Sequence, residues 1–341
     1  FNALTRAGVE AENYPFCTID SNVGVVEVPD QRLRKIAEFV QPSRVIPAAM
    51  EFVDIAGLVS GASRGEGLGN RFLAHIREVD AIAHVVRAFE DPALLHPLET
   101  IDPARDVKML LEELALADLQ SLEGAEKRLD DGIKKAKPAD RPAMVPQLET
   151  IQKVKAALED GIPAKSQKLT PSETLALVDF QLLTSKPVMV GFNTGESETV
   201  PTFESLGFTS DVAGGLGEVG ICAKLEEDLA MMDAEESEEF REAMGLEEPA
   251  VERVKQVCYT TVGLVSFLTV GEDEVRAWPV RTGIEAQMAA GTIHTDFTRG
   301  FIRAEVIAYE DLIRCGSLAQ GRKEGVLRSE GKTYEVKDGD V

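Results

Sequence analysis

Several residue patterns that signal a function are missing from these 341 residues. No apolar run approaches the roughly 20 residues of a membrane-spanning helix, so no membrane association is expected. The four cysteines lie far apart without a C-x-x-C pair, which is typical of reduced cytoplasmic thiols and argues against a disulfide framework. The four histidines have no zinc-type spacing, and no Gly-x-Ser-x-Gly motif occurs, so zinc enzymes and serine hydrolases are disfavoured.

Basic residues are also few. The chain has 36 Lys and Arg against 59 Asp and Glu, a formal charge of −23. Phosphate backbones repel such a protein at long range, so DNA binding is not expected, and RNA contact requires a local basic patch or a protein partner. Residues 226–248 alone contain eleven acidic residues and one basic residue, which favours a solvent-facing helix surface.

Five apolar runs predict a parallel sheet covered by helices, because helical patterns separate several of the runs, as in an α/β fold. The runs are Gly24–Val28, Met50–Asp54, Ala81–Phe89, Pro187–Phe192 and Val219–Ala223. The length of the chain is sufficient for two or three domains.

A long insertion separates the third and fourth runs. Asp102-Pro103 predicts a helix start, with an N-cap residue followed by proline in the first turn. Apolar residues then recur at three- and four-residue steps, interrupted by Asp118, and a second stripe runs from Met144 to Gly161. This pattern predicts an antiparallel helical hairpin, which serves either as a structural insertion or as a docking arm.

The residues after about Pro249 have a different character. Short β-like runs with turn residues between them predict a separate, smaller mixed α/β domain. These runs are Leu264–Val270, Glu274–Val280, Phe301–Ile307 and Thr333–Val336.

A carboxylate stands at the end of a predicted buried strand. Asp54 ends the second run, Gly57 follows three residues later, and the glycine-rich segment Gly61 to Gly69 comes next. P-loop NTPases place a Mg²⁺-supporting Asp and a backbone N–H for the γ-phosphate in this way. The alternatives are an Asp that caps a turn and a plain surface loop. Leu58 stands where Ras-type enzymes carry a water-orienting Gln, so either another group orients water or hydrolysis is slow.

The tetrad Asn193-Thr194-Gly195-Glu196 follows another predicted strand, at the position where GTPases carry Asn-Lys-x-Asp. A longer carboxylate without the lysine favours weaker guanine selection or a shift toward adenine. Cys222-Ala223 ends the next run and can bring a backbone N–H to a base edge. A polar turn after each strand is the alternative interpretation.

Two residues in predicted loops complete the candidate site. Thr18 lies upstream of the first strand, where a threonine can reach Mg²⁺ and sense the γ-phosphate. His96 lies in the loop past the third strand and can orient water in place of the missing Gln. Either residue can equally be an ordinary loop residue.

Together these motifs resemble the Obg-like NTPase family, and within it the YchF, or Obg-like ATPase, subfamily. The residues that carry the resemblance include Tyr14-Pro-Phe-Cys-Thr-Ile19, Phe52-Val-Asp-Ile-Ala-Gly-Leu58 and Asn193-Thr-Gly-Glu196. Toward the C-terminus, Ile293-His-Thr-Asp-Phe297 and Gly300-Phe-Ile-Arg-Ala-Glu-Val306 look like the family's TGS domain. The match covers essentially the whole chain.

The resemblance implies an α/β fold with a P-loop NTPase-type parallel sheet, an inserted α-helical hairpin and a C-terminal β-grasp (TGS) domain. The nucleotide-binding domain would comprise 1–102 and 178–250, the hairpin 103–177 and the TGS domain 251–341. It also implies a cytoplasmic, Mg²⁺-dependent hydrolase of ATP and also GTP. Such a protein would act as a regulatory switch on the ribosome, with an RNA contact through the TGS domain.

By the same resemblance, each candidate residue receives a role. Thr18 and Asp54 would hold Mg²⁺, and His96 would be catalytic. The nucleotide-binding residues would be Gly57, Asn193, Thr194, Glu196, Cys222 and Ala223.

The family's phosphate-binding loop is the one motif without a match. No G-x-x-x-x-G-K-[ST] occurs in the chain, and the first residues are typical of the end of a helix. We therefore expect that loop to precede Phe1, and the chain as written to bind nucleotide poorly. Two alternatives stay open, a non-hydrolysing ribosome- or RNA-binding module and a GTPase with relaxed base selection.

Overall fold

A computed structural model describes residues 1–5, 22–55, 68–196, 198–209, 215–246 and 249–341. Thr18 and Gly57 therefore lie outside the described residues. The chain packs into two units, one formed by Phe1–Val23 and Val53–Val254, the other by Gly24–Phe52 and Lys255–Val341. Among the helices in the described ranges, none has the length and apolar character needed to cross a bilayer.

The helices of the described residues are mostly short, except for two in the region of the predicted insertion. They are α1 (Asn2–Thr5), α2 (Gln31–Val40), α3 (Leu68–Glu78), α4 (Pro103–Lys135), α5 (Arg141–Glu159), α6 (Pro171–Leu177), α7 (Ala223–Met231), α8 (Ala234–Met244), α9 (Ala250–Thr261), α10 (Ala286–Ile293), α11 (Thr295–Gly300), α12 (Tyr309–Cys315) and α13 (Leu318–Glu324).

Each of the five predicted apolar runs overlaps a strand. The strands of the described residues are β1 (Asn22–Glu27), β2 (Arg44–Ile46), β3 (Ala49–Asp54), β4 (Ile82–Arg87), β5 (Val188–Asn193), β6 (Leu216–Ile221), β7 (Leu264–Val270), β8 (Glu274–Arg281), β9 (Ala304–Val306) and β10 (Arg328–Glu330).

In the first unit, β4, β5 and β6 form a parallel sheet with β5 in the middle. The central strand is buried along almost its whole length, as expected for a strand covered on both faces. Phe192 packs there against Val86, Val107 and Phe203. The sheet confirms the predicted α/β class and brings the carboxyl ends of its three strands to one edge.

The predicted helical hairpin corresponds to α4 and α5, which pack against each other. Helix α4 begins at Pro103, and the side chain of its N-cap Asp102 accepts a hydrogen bond from the N–H of Arg105 at 3.0 Å. The helices share a core that includes Leu122, Ile151 and Val154, all at most 1% exposed. Apolar spacing thus predicted this region well because the packing is largely between two helices that follow one another in the chain.

Asp118, which interrupts the apolar stripe of α4, is only 1% exposed. Its carboxylate accepts hydrogen bonds from the N–H groups of Leu183 and Thr184, each at 2.8 Å, and from the Thr184 hydroxyl at 2.7 Å. Burial raises the pKa of Asp118, and these hydrogen bonds partly offset the effect. The residue therefore joins α4 to the short 3₁₀ turn that leads into β5.

The second unit has a mixed sheet in which β8 pairs antiparallel with β7 and parallel with β2. Leu33 and Ile36 of α2 share its core with Leu268 and Ile307. Arg32 adds a polar connection by donating hydrogen bonds to Asp30 and Asp338.

This packing differs from the domain assignment made from the sequence. Residues 24–52 were assigned to the nucleotide-binding domain, whereas Gly24–Phe52 packs in one unit with Lys255–Val341. The hydrogen bond between Arg32 and Asp338 joins residues 306 positions apart, and no local pattern marks such a contact. The functional division into three domains remains a prediction.

The C-terminal unit also corrects two strand predictions. The run Phe301–Ile307 contains only the three-residue strand β9. The run Thr333–Val336 forms no strand, and its β-type contact is the isolated bridge between Glu285 and Glu335. Alternating apolar residues in such short segments pack against the core without continuous strand pairing.

Candidate functional site

Asn193, the last residue of β5, is hydrogen-bonded to the segments that follow both neighbouring strands of the parallel sheet. Its backbone carbonyl accepts a hydrogen bond from the N–H of Ala88, just past β4, at 2.7 Å. Its side-chain Oδ1 accepts one from the N–H of Ala223, at the start of α7, at 3.0 Å. The next residue, Thr194, donates its N–H to the carbonyl of Ile221 at the end of β6, at 2.9 Å. Since β5 lies in the middle, its exit organises those of both neighbours.

Four of the predicted nucleotide-binding residues are thus brought together. Asn193 and Thr194 lie on one side of this edge, and Cys222 and Ala223 begin α7 on the other. Thr194 is only 5% exposed, and its N–H is already bonded to Ile221, so little of this residue is accessible to a ligand. The first turn of α7 adds backbone N–H groups, which favour electron-rich atoms.

Glu196, the fifth described member of the predicted base-binding set, has an exposed side chain. The turn that carries it is closed by Glu198, whose carboxylate accepts a hydrogen bond from the N–H of Gly195 at 3.0 Å. Sequence reasoning missed Glu198, although an acidic residue three positions after a glycine turn is a recognisable signal for such a contact.

Arg87, the last residue of β4, organises the loop that follows. Its guanidinium donates hydrogen bonds to the carbonyls of Phe89, Asp91 and Leu94, at 3.1, 3.1 and 2.9 Å. It also lies 4.8 Å from the centre of the Phe89 ring, a cation–π distance. Sequence reasoning missed this residue as well. Its signal was an arginine at the carboxyl end of a predicted strand.

His96 lies further along the same loop, and its side chain is 13% exposed. Its Nε2 is 3.1 Å from Oδ2 of Asp106 in the first turn of α4. Its Nδ1 accepts a hydrogen bond from the N–H of Leu98 at 3.1 Å. Arg105 holds the other oxygen of Asp106 through its Nε at 3.0 Å. The described hydrogen-bond partners of the His96 side chain are therefore Asp106 and Leu98, and no predicted base-binding residue is among them.

A second histidine lies close enough to Asp106 to respond to its charge. His84 is on β4, and its Nδ1 is buried without a hydrogen-bond partner among the described residues. Burial lowers the pKa of His84 to about 4, while the negative charge of Asp106 acts in the opposite direction. His84 is therefore neutral at physiological pH.

Asp54 is the last residue of β3, as predicted, and its side chain is partly buried. A carboxylate oxygen at the end of a strand is a suitable hard ligand for Mg²⁺, directly or through water. Thr18 and Gly57 lie outside the described residues. Within the described ranges, no group of three or more His, Cys, Asp or Glu side chains is arranged to hold a metal ion.

Comparison with known proteins gives matches at both ends of the chain. Residues 1–140 match the family described as "50S ribosome-binding GTPase", and residues 264–341 match the family YchF-GTPase_C, described as "Protein of unknown function (DUF933)". The protein named ribosome-binding ATPase YchF is 45% identical in Bacillus subtilis (strain 168) and 48% identical in Haemophilus influenzae. Each alignment covers 100% of this chain and 93% of the relative.

The chain belongs to the YchF family of Obg-like ATPases. Obg-like ATPase 1 of Oryza sativa, a plant member, is 39% identical, with 100% of this chain and 86% of the relative aligned. The structure of the Schizosaccharomyces pombe YchF GTPase matches with a TM-score of 0.84 and 31% identity, over 100% of this chain and 92% of that chain. These matches confirm both the family resemblance and the fold class.

Proposed function

We propose that this protein is a Mg²⁺-dependent nucleotide hydrolase that accepts ATP and also GTP and acts in the cytoplasm as a regulatory switch on the ribosome. The observation that most directly supports nucleotide binding is the role of Asn193, which joins the exits of three parallel strands at one edge. That edge is where open α/β sheets bind their ligands. Relatives at 45–48% identity are named ribosome-binding ATPases, which supports the choice of reaction and partner.

The base would be held mainly by the two turns at this edge. Asn193 uses its Oδ1 to fix Ala223, so its main task is to shape the pocket. The segment Cys222–Ala223 and the small accessible part of Thr194 would meet the flat edge of the base, and Gly57 would meet the phosphates. Glu196, whose side chain is exposed, would accept hydrogen bonds from the N–H groups of the base.

The metal would be held by Thr18 and Asp54. Mg²⁺ prefers oxygen ligands and usually retains several waters and phosphate oxygens, which fits a carboxylate at the end of β3. When bound, the ion would neutralise charge on the phosphates. Asp54 would hold it through water, and Thr18 would sense the terminal phosphate.

His96 would orient the attacking water. It lies in the loop after β4, in which Arg87 donates hydrogen bonds to three carbonyls, and histidine is the side chain most often used for general acid–base catalysis. The apolar Leu58 cannot take this role.

The sharpest test replaces His96 in the full-length gene product. His96→Ala should lower the ATP turnover number by at least about 100-fold, the usual contribution of a water-orienting acid or base, while nucleotide affinity stays unchanged. The matched control is His294→Ala, whose side chain is 62% exposed in the C-terminal unit. Unchanged turnover in His96→Ala would remove His96 from the reaction.

Base selection gives a second test. Glu196→Asp restores the shorter carboxylate of GTPases and should shift competition between ATP and GTP toward GTP. Glu204→Asp, at an exposed position nearby, is the control. A parent protein that already prefers GTP would favour a GTPase with relaxed base selection.

Ribosome association is tested by co-sedimentation with ribosomes in the presence of ATP, ADP or no nucleotide. A switch should bind differently in these three states. Nucleotide-independent binding without hydrolysis would favour a non-hydrolysing binding module, and the TGS domain would then be the first place to look for RNA contact.

A further inference from the structure

Both ring nitrogens of His96 are already engaged. Leu98 donates its N–H to Nδ1, so Nδ1 must carry a lone pair rather than a proton. A neutral imidazole then carries its proton on Nε2, and that proton points to Oδ2 of Asp106. A histidine held this way has no free ring nitrogen with which to bind water.

The carboxylate that contacts His96 is itself held in place through its other oxygen. Arg105 donates from Nε to the second oxygen of Asp106 and from its two terminal nitrogens to the hydroxyl and the carbonyl of Thr100, each at 2.7 Å. The first turn of α4 further favours a negative charge at Asp106. Release of His96 therefore requires movement of the loop and not of Asp106.

The loop segment beside His96 is in an unfavourable conformation. The N–H of Glu99 closes a turn onto the carbonyl of His96 at 2.9 Å. This turn holds Glu99 at a φ of 62°, a left-handed conformation that costs energy for a residue other than glycine. The neighbouring Leu95 is 94% exposed. A different loop conformation would relieve the strain at Glu99.

We propose that Asp106 is a positioning residue that holds His96 in a resting conformation, and that His96 reaches water only after it leaves Asp106. This inference rests on the proposed function, since it assigns a control point to the proposed reaction. Asp106 then sets the basal rate. A signal that moves the loop, such as docking on a partner, would raise that rate without any change in the base pocket.

The first test is Asp106→Asn in the full-length gene product. The substitution keeps the shape of the side chain and removes the charge, so the bond to Nε2–H weakens and basal turnover should rise about fivefold, with an unchanged KM. Asp102→Asn removes a carboxylate from the same helix end, where Asp102 contacts the backbone of Arg105, and should leave turnover unchanged. Lower or unchanged turnover in Asp106→Asn would overturn the proposal.

Two further variants separate this role from a purely structural one. In a His96→Ala background, Asp106→Asn should have no effect on turnover, because Asp106 acts only through His96. Glu99→Gly relieves the strain of the resting turn and should lower basal turnover about two- to threefold, the opposite direction. A rise in Glu99→Gly, or a clear effect of Asp106→Asn without His96, would contradict the proposal.

Nitrogen-15 NMR of the imidazole rings supplies a readout that does not depend on hydrolysis. The parent should show His96 with its proton on Nε2, assigned by the loss of the signal in His96→Ala, and Asp106→Asn should weaken that preference. A proton on Nδ1 in the parent would overturn the proposed contact even if the protein hydrolyses ATP. A parent with no hydrolysis at all would defeat the proposed function and with it the role of Asp106 in turnover.

Discussion

Two aspartates on the same helix show how differently a buried carboxylate can be used. Asp106 and Asp118 lie twelve residues apart on α4 and are 7% and 1% exposed. Asp118 accepts its hydrogen bonds from two backbone N–H groups and a threonine hydroxyl at the entry of β5. Asp106 instead binds the side chains of His96 and Arg105, next to a loop with mostly exposed residues.

The difference lies in what each partner can do when the bond breaks. The backbone groups bound by Asp118 are buried and cannot turn to water as an alternative acceptor, so that contact is structural. The partners of Asp106 are side chains that can turn toward solvent or a ligand. Burial alone therefore does not distinguish the two carboxylates, whereas the kind of partner each one binds does.

The largest expected effect is on stability. Asp118→Ala leaves two N–H groups and a hydroxyl buried without an acceptor and should lower the free energy of unfolding by about 3–5 kcal/mol. Asp106→Ala should cost only about 1–2 kcal/mol, because His96 and Arg105 can be solvated. Urea unfolding measures both, with Asp130→Ala at an exposed position of α4 as control. Equal losses for the two aspartates would remove the distinction.

The next effect is a pH dependence of stability that arises from His84, near the Asp106 end of the helix. The folded protein keeps His84 neutral down to a pKa of about 4, whereas an ordinary histidine takes up a proton near 6.5. Between these values only the unfolded chain binds the proton, so stability should fall by about 2–3 kcal/mol as the pH falls from 6.5 to 4.

His84→Gln should remove this part of the pH dependence, and His294→Gln should not. Asp106→Asn should extend the loss to lower pH, because the charge of Asp106 is what raises the pKa of His84 against burial. Unfolding curves recorded across this range provide the measurement. A parent and a His84→Gln variant with the same pH dependence would show that His84 titrates normally.

The smallest expected effect concerns the other anchor of the His96 loop. Arg87→Lys keeps the charge but puts one ammonium nitrogen in place of the three guanidinium nitrogens that each reach a different carbonyl. We expect a stability loss of about 1 kcal/mol and faster amide exchange in residues 88–95, with unchanged exchange in α5. Arg128→Lys, on an exposed part of α4, controls for the substitution itself. Unchanged exchange in the loop would show that the hydrogen bonds of Arg87 do not anchor it.

Much of the candidate site could be predicted because its residues follow strands. The apolar runs located β3, β4, β5 and β6 to within a few residues, and residues after parallel strands must gather at one edge. This reasoning placed Asn193 and Ala223 at that edge, where the structure has them, and their role in binding nucleotide stays a prediction. Which atoms they use could not be predicted, since the contact between Oδ1 of Asn193 and the N–H of Ala223 depends on the exact separation of β5 and β6.

The role of Asp106 escaped sequence reasoning for a different reason. His96 and Asp106 are only ten residues apart, but no motif indicates that the loop folds back onto the first turn of α4. Asp118 was read only as an interruption of an apolar stripe. Its partners lie 65 and 66 residues away, where sequence patterns carry no information.

The sequence by itself determined the alternation of strands and helices and the start of α4 at Asp102-Pro103, because both depend on residues that are close together in the chain. Its motifs also indicated the family to which the chain belongs. Tertiary structure alone decided that Gly24–Phe52 packs with the C-terminal residues, that Asp118 holds the entry of β5, and that His96 rests on Asp106. Each of these contacts forms only after separate elements have packed, since packing sets the distances over which hydrogen bonds and charges act.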